Sequence, residues 1–187
     1  SIAQTISYEV DGWGSDKYPN ALLGVIALIR QTILDGDWYG IAKGIIDKYP
    51  NSNEPIKENI DLEALSHSLQ RKQPFIFETK DEVYALRSNV LAEEFGIKHW
   101  LKGNGFEYRR LNELKKSSMF FILPLNFPKK PNVNEHYEEL SYTTARLKHW
   151  DMAPDNPTKM INAGMDFGIT SADLKDKNDF RKNLIRS

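Results

Sequence analysis

Apolar residues gather in short runs at 75–79, 97–101 and 119–123, whose starts follow one another at an even step of 22 residues. A fourth run, 167–170, comes after a longer insertion. Runs of this length bounded by turn residues read as buried strands, and their alternation with helical patterns predicts βα units on a parallel sheet. The first helix of the series spans about 81–95, with Val83, Leu86, Val90 and Phe95 facing inward and Gly96 as its stop. The next covers 107–117, and another runs from about 140 to 150. Asn156 reads as the cap and Pro157 as the first residue of a short helix that ends at Gly164, and a last helix starts near Asn178.

Ahead of the repeats the pattern is helical. The first 20 residues read as irregular; Asn20 then caps a helix carrying Leu22, Leu23, Ile26, Ile29 and Ile33. Apolar residues surround this helix at its start, which predicts that it is buried. Gly36-Asp37 bends or breaks it before a second stretch, 38–49. Asp61 caps a short helix with Leu62, Leu65 and Leu69 on one face. The expected organisation is one domain, 1–187, with a mostly helical lead-in (1–73) and βα repeats (74–187). About four parallel strands are half of the eight in a closed (β/α) barrel. The fold class is therefore α/β with outer helices, and four strands fit a small open sheet or a partial TIM-type barrel equally well.

Composition narrows the partners. A chain of 187 residues with a net charge of -1 offers no electrostatic reason to expect nucleic acid or an anionic membrane. The longest apolar stretch, 21–29, is too short for a bilayer, which needs ~20 apolar residues. There is no cysteine, hence no thiol nucleophile or cysteine-based zinc site, and cytoplasm and periplasm both stay open. The four histidines, His67, His99, His136 and His149, form no His-x-His or helical His-x-x-x-His pair. His99 reads as a packed strand residue and His149 as an imidazolium at a helix end. His67 and His136 look exposed, and the tryptophans (Trp13, Trp38, Trp100, Trp150) read as core.

In parallel sheets chemistry collects at the C-terminal ends of strands. Those ends carry Glu78-Thr79, Lys102-Gly103-Asn104, Pro124-Leu125-Asn126 and Ser171-Ala172-Asp173. The catalytic candidates are Glu78, Lys102 and Asp173, and the substrate-binding candidates are Asn104, Asn126 and Ser171. An ion pair between Glu78 and Lys102 across neighbouring strands is expected. No metal site is read from the chain itself.

Four segments together resemble the amidohydrolase superfamily, in its imidazolonepropionase-like branch. They are the helix 18–39, Pro74-Phe-Ile-Phe-Glu-Thr79, Gly96-Ile-Lys-His-Trp-Leu-Lys-Gly103 and Gly164-Met-Asp-Phe-Gly-Ile-Thr-Ser-Ala-Asp173. The resemblance runs from about residue 15 onward and implies the second half of a barrel. In active relatives a zinc or other divalent ion is held by histidines ending the fifth and sixth strands, beside a catalytic aspartate after the eighth. Here Glu78 and Lys102 stand at the histidine positions, and Ala172 at the aspartate's, with Asp173 one residue later. The implied function is an amidohydrolase-like barrel half, non-catalytic by itself and without a cofactor of its own. The alternative is part of a metal-dependent hydrolase of C–N or ester bonds, with ligands from other segments. A third reading is a free-standing α/β module that binds a small ligand at its strand ends. The expected partner is the remainder of a barrel, or a second copy through open sheet edges.

Overall fold

At 75–78 buried and half-buried side chains alternate, because a pleated backbone sends successive residues to opposite faces. The structure is a computed structural model that describes residues 2–10, 18–51, 55–117, 119–132 and 140–187. Its strands are β1 (Gln4–Ser7), β2 (Phe75–Glu78), β3 (His99–Lys102), β4 (Phe120–Pro124) and β5 (Phe167–Thr170). The helices are α1 (Leu22–Lys48), α2 (Ile60–Gln70), α3 (Glu82–Glu94), α4 (Leu111–Lys116), α5 (Thr144–Met152), α6 (Asn156–Asn162) and α7 (Asp179–Arg186). A single 3₁₀ turn, Glu107–Arg109, precedes α4.

The strands pair in chain order, β1-β2-β3-β4-β5. Phe75 N–H donates to Lys98 O and Thr79 N–H to Lys102 O, so β2 and β3 advance together. β3 and β4 are parallel with Leu101 beside Phe121, and β4 and β5 are parallel with Phe121 beside Phe167. Helix-linked parallel neighbours are what the 22-residue step predicts. The strand at Gln4–Ser7 is an addition to that reading, which took the first 20 residues as irregular. It is too short to show a period, and a neighbour's carbonyl anchors it: Gln4 N–H donates to Pro74 O at 3.1 Å.

The chain divides into two compact units. Residues 1–76 with 91–98 make one, and 77–90 with 99–187 make the other. In the first, α1 packs along α2. Gly36 does not break α1, which runs unbroken for 27 residues. A Cβ at Gly36 would come 2.8 Å from the Leu65 side chain, so the glycine admits α2 rather than ending α1. Ala21, not Asn20, occupies the N-cap of α1. Asn59 rather than Asp61 caps α2, its side chain accepting from Asp61 N and Leu62 N. The expectation that the helix is buried at its apolar start fails at Leu23, which is 81% exposed. Val25, Ile33 and Tyr39 are buried, but Leu34, Trp38, Ile41 and Ile45 face outward. Trp38, expected in the core, is 59% exposed.

In the second unit, Phe77, Leu101, Phe121 and Leu123 form the fully covered face of the sheet. Trp100, Lys102, Phe120 and Ile122 occupy the other face and stay partly open. Asp81 caps α3, accepting from Val83 N and Tyr84 N. Along α3 the buried residues are Glu82, Ala85, Ser88, Asn89, Leu91 and Ala92, whereas the predicted Val83 and Leu86 are half-buried and Val90 is 59% exposed. Gly96 ends α3 at a φ of 61°, a left-handed value that glycine adopts without cost. No helix among the described residues is long and apolar enough to cross a membrane.

Candidate functional site

The strand ends of the second unit bring three charged side chains together. Lys102 Nζ lies 3.3 Å from Glu78 Oε1 and 3.0 Å from Asp173 Oδ2. The alternation of β3 turns Lys102 to the partly open face, and parallel neighbours ~4.8 Å apart let Glu78 of β2 reach it. Asp173 arrives from the loop after β5 with a φ of 64°, a left-handed conformation that aspartate tolerates better than most residues. Partial burial works against the ammonium's charge. The hydrogen bond and charge of Asp173, and then those of Glu78, outweigh that cost and hold the Lys102 pKa above its ordinary value. The three catalytic candidates thus form one ion-paired cluster with lysine at its centre.

Asn104 is committed to the fold. Its Nδ2 donates to Thr79 O at 3.1 Å and its Oδ1 accepts from Phe106 N–H. Its backbone N–H donates to Glu107 Oε1 at 2.8 Å. Asn126 is exposed, beside a cavity of about 410 Å³ that Lys129, Asp173, Lys175, Lys182 and Arg186 also line. Ser171 is half-buried, and its carbonyl accepts from Leu174 N–H. The structure therefore brings Asn126 to Asp173's neighbourhood and leaves Asn104 holding its own loop.

Glu107 is the residue that sequence reasoning passed over. It is buried, and its carboxylate accepts from Asn104 N–H, from Gly105 N–H at 3.0 Å and from Asn156 Nδ2 at 2.7 Å. Burial pushes its pKa up, against the opposing pull of these donors. A Cβ on Gly103 would meet Glu107 Oε1 and the Leu123 side chain, so the glycine makes room for the carboxylate. Gly103-Asn104-Gly105 wraps this buried acid and so shapes the loop after Lys102. Asn156 is a further surprise. It opens α6 as its first residue rather than its cap, and Asp155 holds the cap position. Its side chain bridges Glu107 and Tyr108 N–H. Only a glycine-rich turn followed three residues on by an acid could have hinted at this.

His149 departs from the expected imidazolium. Its ring stacks on Phe106 with centroids 3.7 Å apart, and its Nδ1 lies 3.5 Å from the Tyr108 hydroxyl. Burial and then the nearby Arg109 guanidinium push its pKa down, which favours neutral imidazole. Arg109 itself lies over the Phe106 ring and 3.7 Å from Glu82. His99 sits in β3 edge-on to Phe77, as a packed strand residue. His67 is exposed on α2. His136 and Trp13 lie outside the described residues. Among the described residues, no three histidines or carboxylates converge as metal ligands would.

No family model and no curated protein matches the sequence. The fold is similar to the crystal structure of an amidohydrolase from Thermotoga maritima MSB8, with a TM-score of 0.72 at 14% identity. The match covers 97% of this chain and 45% of that one, so the chain spans less than half the length of this structural relative. At this identity the likeness is one of fold: a distant amidohydrolase-like α/β architecture.

Proposed function

We propose that this chain is one half of an amidohydrolase-like (β/α) barrel that acts without catalysis, supporting or binding something within a larger assembly. The Lys102 cluster carries the reading. A catalytic zinc takes about three protein ligands and keeps an open position for water, whose pKa it lowers to ~7. The donor set here does not fit such an ion. A protonated amine has no lone pair to give, and its pKa is held up rather than lowered. The ammonium also neutralises Glu78 and Asp173, the two carboxylates that would otherwise ligate. Ala172 brings no base. The partly open sheet face with Trp100, Phe120 and Ile122 supports the half-barrel reading, because it is the face that the remainder of a barrel would cover.

Elemental analysis of protein purified without chelator, run beside zinc-supplemented assays on amide and ester substrates, tests this. The expected result is no stoichiometric transition metal and no metal-dependent turnover. Zinc bound at one equivalent and lost in Glu78→Gln would overturn the reading.

A second reading, ligand binding at the strand ends, rests on the cavity beside Asn126. Lys129, Lys175, Lys182 and Arg186 line it against Asp173 and Asp179, and Asp173 already faces Lys102. A cleft with such a surplus of cations concentrates anions. Thermal melts in phosphate and in chloride at equal ionic strength check it. A phosphate-specific rise in Tm that Lys182→Ala removes supports an anion site, and equal melts count against one.

A further inference from the structure

Nothing among the described residues covers the outward face of α1. Leu34, Trp38, Ile41 and Ile45 follow one another at steps of four, three and four residues, and Tyr49 continues the line at the helix end. Each is between 48 and 59% exposed. This is an a/d stripe on the side of the helix opposite Val25, Ile33 and Tyr39, which are buried. With about 200–250 Å² for each fully exposed side chain of this size, the stripe leaves about 600 Å² of one helix open. That is at the upper end of what a monomer ordinarily shows. Two such faces together bury about 1,200 Å², the lower edge of a specific interface.

Gly44 points the same way. It sits inside the helix, where glycine is the least favourable residue after proline. Gly36 and Gly40 are explained by the side chains of α2, which a Cβ at either would strike. A Cβ at Gly44 would meet nothing within 4 Å among the described residues, so no contact among them requires it. It flanks the stripe, where a smooth backbone lets another helix come close.

We propose that this face pairs with the same face of a second copy, as an antiparallel helix pair about a twofold axis. Charge selects the second copy and the register. Asp37 and Lys48 are exposed on the same flank of the stripe, three helical turns apart, and neither has an ion-pair partner among the described residues. In a twofold antiparallel pair each flank faces itself. An axis midway between these residues sets Asp37 of each copy against Lys48 of the other. The same axis sets Ile41 of each copy over Gly44 of the other, which gives the glycine its reason. Ile41 and Ile45 then lie nearest the axis, with Trp38 ~7 Å along the helix from it.

Sedimentation equilibrium on the whole chain from about 1 to 200 µM tests this, spanning the range where an interface of minimal area dissociates. The expected result is a monomer–dimer equilibrium. Ile41→Glu shifts it at least about tenfold toward monomer with an unchanged circular dichroism spectrum. Gly44→Leu separates the proposal from a fold-stability effect, because it should raise the Tm of the chain while weakening the dimer. Asp37→Arg should weaken the dimer, and adding Lys48→Asp should restore it. A chain that stays monomeric up to the highest concentration overturns the proposal and leaves the face to a different partner. Association that Ile41→Glu and Gly44→Leu leave untouched overturns it too, and assigns the contact to the sheet edges.

Discussion

Lys102 and Glu78 stand 24 positions apart in the chain, yet their charged groups lie 3.3 Å apart at the ends of neighbouring parallel strands. The helical crossover through α3 makes the meeting possible, since it returns β3 alongside β2 in register. Asp173 then completes the cluster from the far side of the sheet order, after β5.

This cluster makes stability depend on alkaline pH. The folded pKa of Lys102 lies above its unfolded value, so the contribution is full below the ordinary lysine value of ~10.4 and is lost as pH rises through the folded one. Lys102→Met is expected to cost about 1 kcal/mol at pH 7, because the two carboxylates are partly solvated and the pairs are screened. Urea melts of both proteins from pH 7 upward should show the difference shrinking above pH ~10. A difference that stays constant with pH would mean that the lysine acts through packing of its stem.

Glu107 meets donors, among them the backbone N–H groups of Asn104 and Gly105 and the Asn156 amide. Glu107→Gln turns one of its oxygens into a donor facing a donor and should destabilise by about 1–3 kcal/mol. Asn156→Ala strips a partner from the same carboxylate and from Tyr108 N–H. Because the two residues share a bond, the double variant should lose less than the two single losses added. Strictly additive losses in denaturant melts would show that the Asn156–Glu107 bond contributes nothing.

Gly103→Ala is expected to destabilise by about 1–3 kcal/mol, since the new methyl would overlap Glu107 Oε1 and the Leu123 side chain. Gly44→Ala, where the methyl has open space, is the control and should stabilise the isolated chain. The order of the two midpoints in a thermal melt decides the matter.

His149 should titrate below the ordinary value of ~6.5, because burial and then Arg109 disfavour its cation. Arg109→Ala should move the midpoint upward, and Phe106→Ala, which opens the ring to water, should move it further. Histidine NMR titrations read each midpoint directly. A wild-type midpoint above 6.5 would restore the helix-end imidazolium expected from the sequence.

The pattern of apolar runs was enough to locate β2, β3, β4 and β5 and the helices between them, because period and punctuation are local properties. It also anticipated the Glu78–Lys102 pair, since parallel neighbours of matched length put their last residues side by side. Other features depend on what arrives from elsewhere in the chain. Gly36 looked like a break until Leu65 of α2 needed its space. Val90 looked like part of the inward face of α3, yet it is 59% exposed while Ser88 and Asn89 are buried. Glu107 looked like the first turn of an ordinary helix, and only the folded loop 103–105 with Asn156 surrounds its charge with donors. The stripe on α1 was visible as hydrophobicity, but hydrophobicity has no direction. Which side of that helix faces the interior was decided when α2 packed against the other one.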